Sequence, residues 1–355
     1  MKTKILVVFF VCAMLSACGG KGQEVSAIQA TYNNPVLNNL SGNSSAIPPL
    51  PSFTNFSSVA SSNSQGSFAG KIPQFFDFDV EDVYLAGKTG EQGFYAKMNV
   101  AKQVEINYLD FLPLGLAVTE GNVYFLQRID ADKINLVRYE EISKNTSNLA
   151  SITADGEVVG FVKQGADMII IVSSASSSLF YKYNANGTNI QVTRPFRTTA
   201  LFFHGSTTYI GSESGDAKML MRLNDAFKPT LSPLWSTQKD AMIKAGFASD
   251  NAIYLSGTMT ENDNGFIFVK AFGNDGKTLW TQKLPAVLTI APFFVHATND
   301  TVYVAHDKSI WLLSIADQGK QNGPIYNAKG RINAIFENKV YMINENDDLE
   351  IGYLP

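Results

Sequence analysis

The chain has 355 residues, with 28 Lys and Arg against 32 Asp and Glu. The resulting net charge of −4 argues against nucleic acid as a partner and against a basic patch that would hold the chain on a membrane. Two cysteines cannot build a disulfide framework, so a folded domain of this size must be stabilised by its own apolar core.

The first residues have the pattern of an export signal. Lys2 and Lys4 precede an apolar run, residues 5–14, that is too short to span a bilayer as a mature helix. The run ends in Leu15-Ser16-Ala17-Cys18, which resembles the lipobox of bacterial lipoproteins. In that family the signal, here residues 1–17, is removed and the cysteine is acylated with fatty acids such as palmitate. The resemblance predicts a lipid anchor on Cys18; the alternative is an ordinary signal peptide with a chance cysteine.

Removal of the signal would change the charge and leave one cysteine. The mature chain would carry 26 basic groups against 32 acidic ones, a net charge of −6, and Cys18 would be consumed by lipid. Each buried acyl CH₂ contributes about 0.8 kcal/mol, so a multiply acylated cysteine is a lasting anchor. Gly19 follows the cysteine, whereas the family's inner-membrane retention signal is an Asp there. The resemblance therefore implies attachment to the outer membrane of a two-membrane bacterium.

Residues 18–72 are predicted to form a disordered linker. Not one charged residue lies between Glu24 and Lys71, and Ser, Asn, Pro and Gly dominate without a sustained helical or strand period. Such a segment cannot bury enough apolar surface to offset its ordering entropy. As a flexible coil it would span roughly 40 Å.

From residue 73 to residue 355 the sequence consists of short strands that repeat. A Tyr flanked by apolar residues recurs at steps of 40–49 residues, with one shorter step of 38. The six copies and one degenerate copy are centred on Tyr84, Tyr124, Ile169, Tyr209, Tyr254, Tyr303 and Tyr341. Each unit has room for four strands, which predicts an all-β fold: a β-propeller of about seven four-stranded blades. A pair of β-sandwiches is the alternative, but a sandwich gives no reason for seven repeats.

Two further patterns fit blades around an axis. Nine residues before each repeat centre, four of the seven positions are Gly or Ala, as expected where innermost strands converge. Trp235 and Trp280 lie 45 residues apart, the same step as Tyr209 and Tyr254, which predicts that both belong to outer strands of neighbouring blades. No helix is required, although residues 239–244 could form one helical turn.

The fifth unit carries a resemblance to a known repeat. The sequence Phe272-Gly273-Asn274-Asp275-Gly276-Lys277-Thr278-Leu279-Trp280 is similar to the quinoprotein-type (PQQ-like) propeller repeat, in which Asp/Asn-Gly-Lys joins a strand to an outer strand carrying Trp. Quinone-dependent dehydrogenases of that family use paired cysteines and calcium-binding side chains, usually on eight blades. The mature chain would have no cysteine pair and about seven repeats, so we predict no cofactor.

The last unit is one strand short. It supplies three strands before the chain ends at Pro355. A ring stays closed best when its two ends pair, so residues 67–72 are predicted to supply the missing outer strand.

No local motif assembles a catalytic or metal site. A zinc site needs three or four ligands, and the acidic turns 130–132, 261–265 and 344–348 lack the spaced ligands of a calcium loop. His204 and His296 lie on predicted innermost strands, five and seven residues before their tyrosines, where both could approach the central channel. Together with Asp77 they are the ligand-binding candidates; the alternative is that the histidines are partly buried structural residues.

These patterns favour a binding or scaffold protein of the cell envelope. Its ligand, a protein or an envelope glycan, would sit on a propeller face formed by inter-strand loops, with residues 258–265 and 285–289 as candidates for a protruding edge. The alternative is an enzyme that acts on polysaccharide or peptidoglycan, with Asp77 and His296 as acid and base.

The lipid anchor gives the first testable prediction. Cells grown with a labelled fatty acid should incorporate the label into the wild-type protein and not into Cys18→Ala, because Cys18 is the proposed acylation site. Equal expression of the two proteins is the control. A labelled Cys18→Ala protein would end the lipoprotein assignment.

Overall fold

The computed structural model describes most of the chain from Lys71 to Leu354. The described residues are 8–9, 57–58, 68, 71–79, 82–99, 103–119, 121–164, 167–184, 189–229, 233–237, 241–261, 264–284, 293–323, 325–328, 330–336, 339–344 and 349–354. Cys18 and residues 285–289 lie outside this set. Within it, no helix has the length and apolar character that crossing a bilayer requires.

The described strands form seven antiparallel blades of four strands each, as predicted, and one blade carries a short fifth strand at its inner edge. Blade 1 contains β3 (Ile72–Asp79), β4 (Asp82–Thr89), β5 (Gln92–Met98) and β6 (Val104–Leu109). Blade 2 contains β7 (Pro113–Thr119), β8 (Asn122–Asp130), β9 (Lys133–Glu140) and β10 (Asn145–Thr153). Blade 3 contains β11 (Glu157–Gln164), β12 (Asp167–Ser173), β13 (Ser178–Asn184) and β14 (Asn189–Arg194).

The remaining blades follow the same order along the chain. Blade 4 contains β15 (Arg197–His204), β16 (Thr207–Ser214), β17 (Ala217–Leu223) and β18 (Trp235–Thr237). Blade 5 contains β19 (Ala241–Ala248), β20 (Ala252–Glu261), β21 (Asn264–Gly273) and β22 (Thr278–Leu284). Blade 6 contains β23 (Phe293–Ala297), β24 (Thr301–His306), β25 (Ser309–Ser314) and β26 (Tyr326–Asn327). Blade 7 contains β27 (Arg331–Phe336), β28 (Lys339–Ile343), β29 (Leu349–Tyr353) and β2 (Ser57–Ser58).

The first strand of each blade lies next to the first strands of the two neighbouring blades, and the contacts run around the ring from β3 to β27 and back to β3. Because the strands of a blade alternate in direction, first and third strands begin at one face of the ring, and second and fourth strands end there. We call this face the start face and the opposite one the end face.

The predicted inner positions all lie on these innermost strands: Phe75, Gly115, Gly160, Ala200, Ala245, Phe294 and Ile332. The blades approach one another closely at these strands, as Gly246, next to the inner position Ala245, shows. A Cβ on Gly246 of blade 5 would overlap the Phe202 ring of blade 4. The predicted outer-strand positions of Trp235 and Trp280 are also confirmed, since they lie in the fourth strands of blades 4 and 5.

Large side chains fill the space between blades. Five of the six repeat tyrosines are buried, and Tyr124 is partly buried. Tyr341 of blade 7 packs against Phe78 of blade 1, with ring centroids 5.2 Å apart, and this contact joins the last blade to the first. Aromatic pairs of this kind contribute about 0.5–1.5 kcal/mol beyond their buried area. Most aromatic residues in the described part of the chain belong to this core.

The ring closes through a strand from the N-terminal segment, but not through the one that the sequence predicted. Ser57 and Ser58 pair antiparallel with Ile351 and Glu350 of β29 and complete blade 7. The prediction of residues 67–72 was wrong, because Ile72 already begins the innermost strand of blade 1. Phe68 is buried against Phe94 of that blade, at a ring separation of 6.4 Å.

Three local features add to or correct the sequence analysis. Residues 241–244 belong to strand β19 and not to a helical turn. Residues 258–261 and 264–265 extend the β20–β21 hairpin, so most of the predicted loop 258–265 is strand. A short strand β1 (Val8–Phe9) pairs with the inner edge of β11 and gives blade 3 a fifth strand; removal of residues 1–17 would take this strand away.

The closing strand gives the second prediction. Replacing Ser57 and Ser58 by proline removes the one backbone N–H of this pair that faces β29 and should lower the free energy of unfolding by about 1–2 kcal/mol. Urea unfolding followed by tryptophan fluorescence measures the loss. The control is the same double substitution at Ser61 and Ser62, and equal losses in the two variants would argue against closure by β2.

Candidate functional site

Asp77, the first of the predicted candidates, is a fully buried link between blades 1 and 2. The Phe78 N–H donates to Oδ1 at 2.6 Å, and the Val118 N–H of blade 2 donates to Oδ2 at 2.5 Å. Both carboxylate oxygens therefore accept hydrogen bonds from backbone donors. This geometry indicates that Asp77 has a structural role, which is to connect blade 1 to blade 2.

His296 occupies the same repeat position as Asp77, since each pairs across its blade with the repeat tyrosine. Its imidazole is stacked on Tyr303 and lies edge-on to Phe247 of blade 5, with ring centroids 6.0 and 5.3 Å away. Burial lowers the pKa of His296 to about 3, so the ring is neutral at physiological pH. Blade 7 separates blade 6 from blade 1, and the structure does not bring His296 and Asp77 together as an acid–base pair.

His204 lies at the end face, away from the interior position of the other two candidates. Its Nε2 is 3.0 Å from Oδ1 of Asp250, in the first turn of blade 5. The contact connects two neighbouring blades at the rim. The three candidates Asp77, His296 and His204 lie in three different blades, 1, 6 and 4.

No group of three or more His, Cys, Asp or Glu side chains among the described residues could hold a metal ion. Asp130 and Asp132 flank the turn of the β8–β9 hairpin. Parts of the other two acidic turns, at 262–263 and 345–348, lie outside the described residues.

An exposed apolar surface at the start face was missed by the sequence analysis. Of the seven large apolar side chains that are exposed in the described part of the chain, four lie on blades 1 and 2 at this face: Ile72, Tyr108, Leu112 and Ile129. Ile72 begins the first strand of blade 1, Leu112 precedes that of blade 2, and Tyr108 and Ile129 lie near the ends of fourth and second strands. We call these four residues the blade 1–2 patch.

The other three exposed apolar side chains, Ile142, Leu279 and Tyr353, are scattered over the end face on three different blades. Single exposed apolar residues are normal on protein surfaces, whereas large contiguous apolar patches mark interaction sites. Lys71, which is itself buried, lies over the Tyr108 ring, 5.9 Å from its centroid.

A polar cleft of about 350 Å³ lies at the end face between blades 1 and 2. It is lined by Lys97, Asn99, Gln103, Glu105, Glu141, Ile142 and Lys144. Lys97 is 3.6 Å from Glu141, Lys144 is 3.0 Å from Glu105, and the Tyr95 hydroxyl donates to Glu141. Burial, and then that hydrogen bond, raise the pKa of Tyr95 above its usual range. The charges of this cleft are thus paired with one another.

A second charged group lies at the start face, where blades 4 and 5 meet. Arg197 and Glu213 of blade 4 lie close enough to Lys244 of blade 5 to act on its charge, and Lys218 of blade 4 lies beside Glu213. The sequence carried one signal for it: Lys244 interrupts the apolar innermost strand Ala241–Ala248. We call these four residues the blade 4–5 cluster.

Comparison with known proteins supports the fold. None of the known protein-family models matches this sequence, and neither does any curated protein. The ring is similar to the WD40 domain of Neurospora crassa Pan2, with a TM-score of 0.51 and 10% identity over 86% of this chain and 98% of that chain. The WD40 repeats of RRP9 give a TM-score of 0.51 at 11% identity, over 86% and 99%. Identities this low show the fold alone; the quinoprotein-type repeat and the lipid anchor stay predictions.

The position of Asp77 gives the third prediction. Asp77→Ala would leave two buried backbone N–H groups without acceptors and should lower the free energy of unfolding by about 2–4 kcal/mol. Asp79→Ala is the matched control, because Asp79 also accepts from a blade 2 backbone N–H, Gly121, but at an exposed site. Its expected loss is below about 1 kcal/mol. Equal losses in urea unfolding would contradict the structural role of Asp77.

Proposed function

We propose that this chain is a lipid-anchored protein of the cell envelope that uses its propeller as a protein-binding scaffold. The anchor would be Cys18 in the outer membrane, and residues 19–56, which carry no charge after Glu24, would place the ring roughly 30–40 Å away from it. The blade 1–2 patch is the proposed contact surface.

The grouping of the exposed apolar side chains is the observation that carries the proposal. Apolar and aromatic side chains grouped on one surface lower the free energy of association when a partner removes them from water. Tyr108 is an exposed aromatic side chain with Lys71 over its ring, and aromatic side chains are enriched at protein interfaces. A ring in which each sheet packs on two neighbours can present such a surface without reorganising, which lowers the entropic cost of binding.

The enzyme alternative has less support. The carboxylate of Asp77 accepts from two backbone donors, and the imidazole of His296 lies between two aromatic rings in another blade. A general acid and base must both reach the reacting bond. The scaffold role is therefore the function that the geometry favours.

Site-specific crosslinking of the full chain in living cells tests the proposal and is the fourth prediction. A photo-crosslinking phenylalanine analogue at Tyr108 should give one discrete protein adduct. The same analogue at Tyr353 is the control, because that tyrosine is about equally exposed, 43% against 47%, but lies at the end face.

A second pair of variants separates the patch from the rest of the surface. Leu112→Asp should reduce the Tyr108 adduct at least fivefold, because it places a charge inside the patch. Leu279→Asp, at a comparably exposed site on the end face, should leave the adduct unchanged. Adducts of equal yield from Tyr108 and Tyr353, or an adduct that is insensitive to Leu112→Asp, would overturn the proposal.

A further inference from the structure

The blade 4–5 cluster brings four charged side chains together at one corner of the start face. Arg197 and Glu213 pair in register across β15 and β16, and Glu213 pairs in register with Lys218 across β17. Gly211, on the same side of β16 as Glu213, packs against Ile243, so this side of blade 4 faces blade 5. Lys244 follows Ile243 and is the extra residue of a β-bulge in β19.

The carboxylate of Glu213 does not form close hydrogen bonds with the two cationic side chains beside it. Arg197 Nη1 lies 3.7 Å from one carboxylate oxygen, and Lys218 Nζ lies 3.4 Å from the other. Both separations exceed the 2.7–3.2 Å of a good N–H···O hydrogen bond. Oε1 of Glu213 is buried and has no hydrogen bond to any described residue. The three groups are close enough to attract one another and too far apart to satisfy their hydrogen-bonding capacity.

Lys244 is the least satisfied member. The residue is only 7% exposed, and no described residue lies within hydrogen-bond or ion-pair distance of its ammonium group. Burial lowers the pKa of Lys244 to about 8, Arg197 acts in the same direction, and Glu213 opposes the shift. Near pH 7 the lysine is therefore still mostly protonated, with its stem buried and no carboxylate of a described residue within ion-pair distance of its ammonium group.

The cluster holds three cations and one carboxylate, a local charge of +2, in a chain whose net charge is −4. A buried charge without a partner is costly, and a bound anion would reduce that cost. Thr199, the bulge residue of β15, adds a buried hydroxyl that has no hydrogen bond within the described structure. Its Oγ1 lies near Gly211, on the side that faces blade 5.

We propose that the blade 4–5 cluster is a binding site for an oxyanion, a phosphate or carboxylate group, held by Arg197, Lys218 and Lys244. Oxyanions accept several charge-assisted hydrogen bonds at once, which is what three convergent cationic donors offer. Glu213 spaces Arg197 and Lys218 and limits the affinity through like-charge repulsion. The site depends neither on the lipid anchor nor on a protein partner.

Calorimetric titration of the full chain in detergent tests the site with two probes, inorganic phosphate and acetate, at pH 7. Saturable binding of phosphate alone identifies a phosphate site, binding of acetate alone a carboxylate site, and binding of both a general oxyanion site. Lys244→Met keeps the buried aliphatic stem and should weaken binding at least tenfold. Lys133→Met, at an exposed position in blade 2, is the control and should change nothing.

The substitution Glu213→Gln should change the anion affinity in the opposite direction from Lys244→Met. It removes the competing negative charge, so anion binding should become at least threefold tighter, which general damage to the fold would not produce. Binding of neither probe by the wild-type protein overturns the proposal. Unchanged affinity in Lys244→Met, or weaker binding in Glu213→Gln, overturns it as well.

Discussion

Every blade of this ring can bury its two faces only against its neighbours, and the fold depends on that packing. Where the chain ends meet, Tyr341 of blade 7 packs on Phe76 and Phe78 of blade 1. Ser57–Ser58 completes the sheet of blade 7 from the other end of the chain. The first and last parts of the domain are thereby held together, although more than 280 residues separate Ser58 from Glu350.

The same packing explains why the polar residues Asp77 and His296 of the innermost strands have structural roles. Asp77 and His296 share one repeat position, which other blades fill with Phe202 and Phe247. A side chain there points toward a neighbouring blade. Asp77 accepts hydrogen bonds from backbone N–H donors, whereas His296 is a neutral ring that packs between aromatic side chains, and its Nδ1 has no hydrogen bond to a described residue.

The two faces of the ring differ in how completely their charged and apolar side chains are paired or buried by other residues of the chain. At the end face, the charges of the cleft between blades 1 and 2 pair with one another, and His204 is paired with Asp250. At the start face, the blade 1–2 patch leaves apolar side chains in water, and the blade 4–5 cluster leaves Lys244 without a counter-ion. A partner can bury exposed apolar side chains and neutralise unpaired charges. Binding is therefore expected at the start face.

The sequence by itself determined the repeat, the number of blades and the inner and outer strands, because strand alternation and turn residues act over a few neighbouring positions. The lipobox resemblance at Cys18 likewise depends on the sequence alone. Only the tertiary structure decided which segment closes the ring, since pairing between Ser57–Ser58 and β29 depends on where two distant parts of the chain meet. The tertiary structure also decided the environment of Lys244, because the pKa of a lysine in an apolar strand depends on its burial and on the charges of the neighbouring blade.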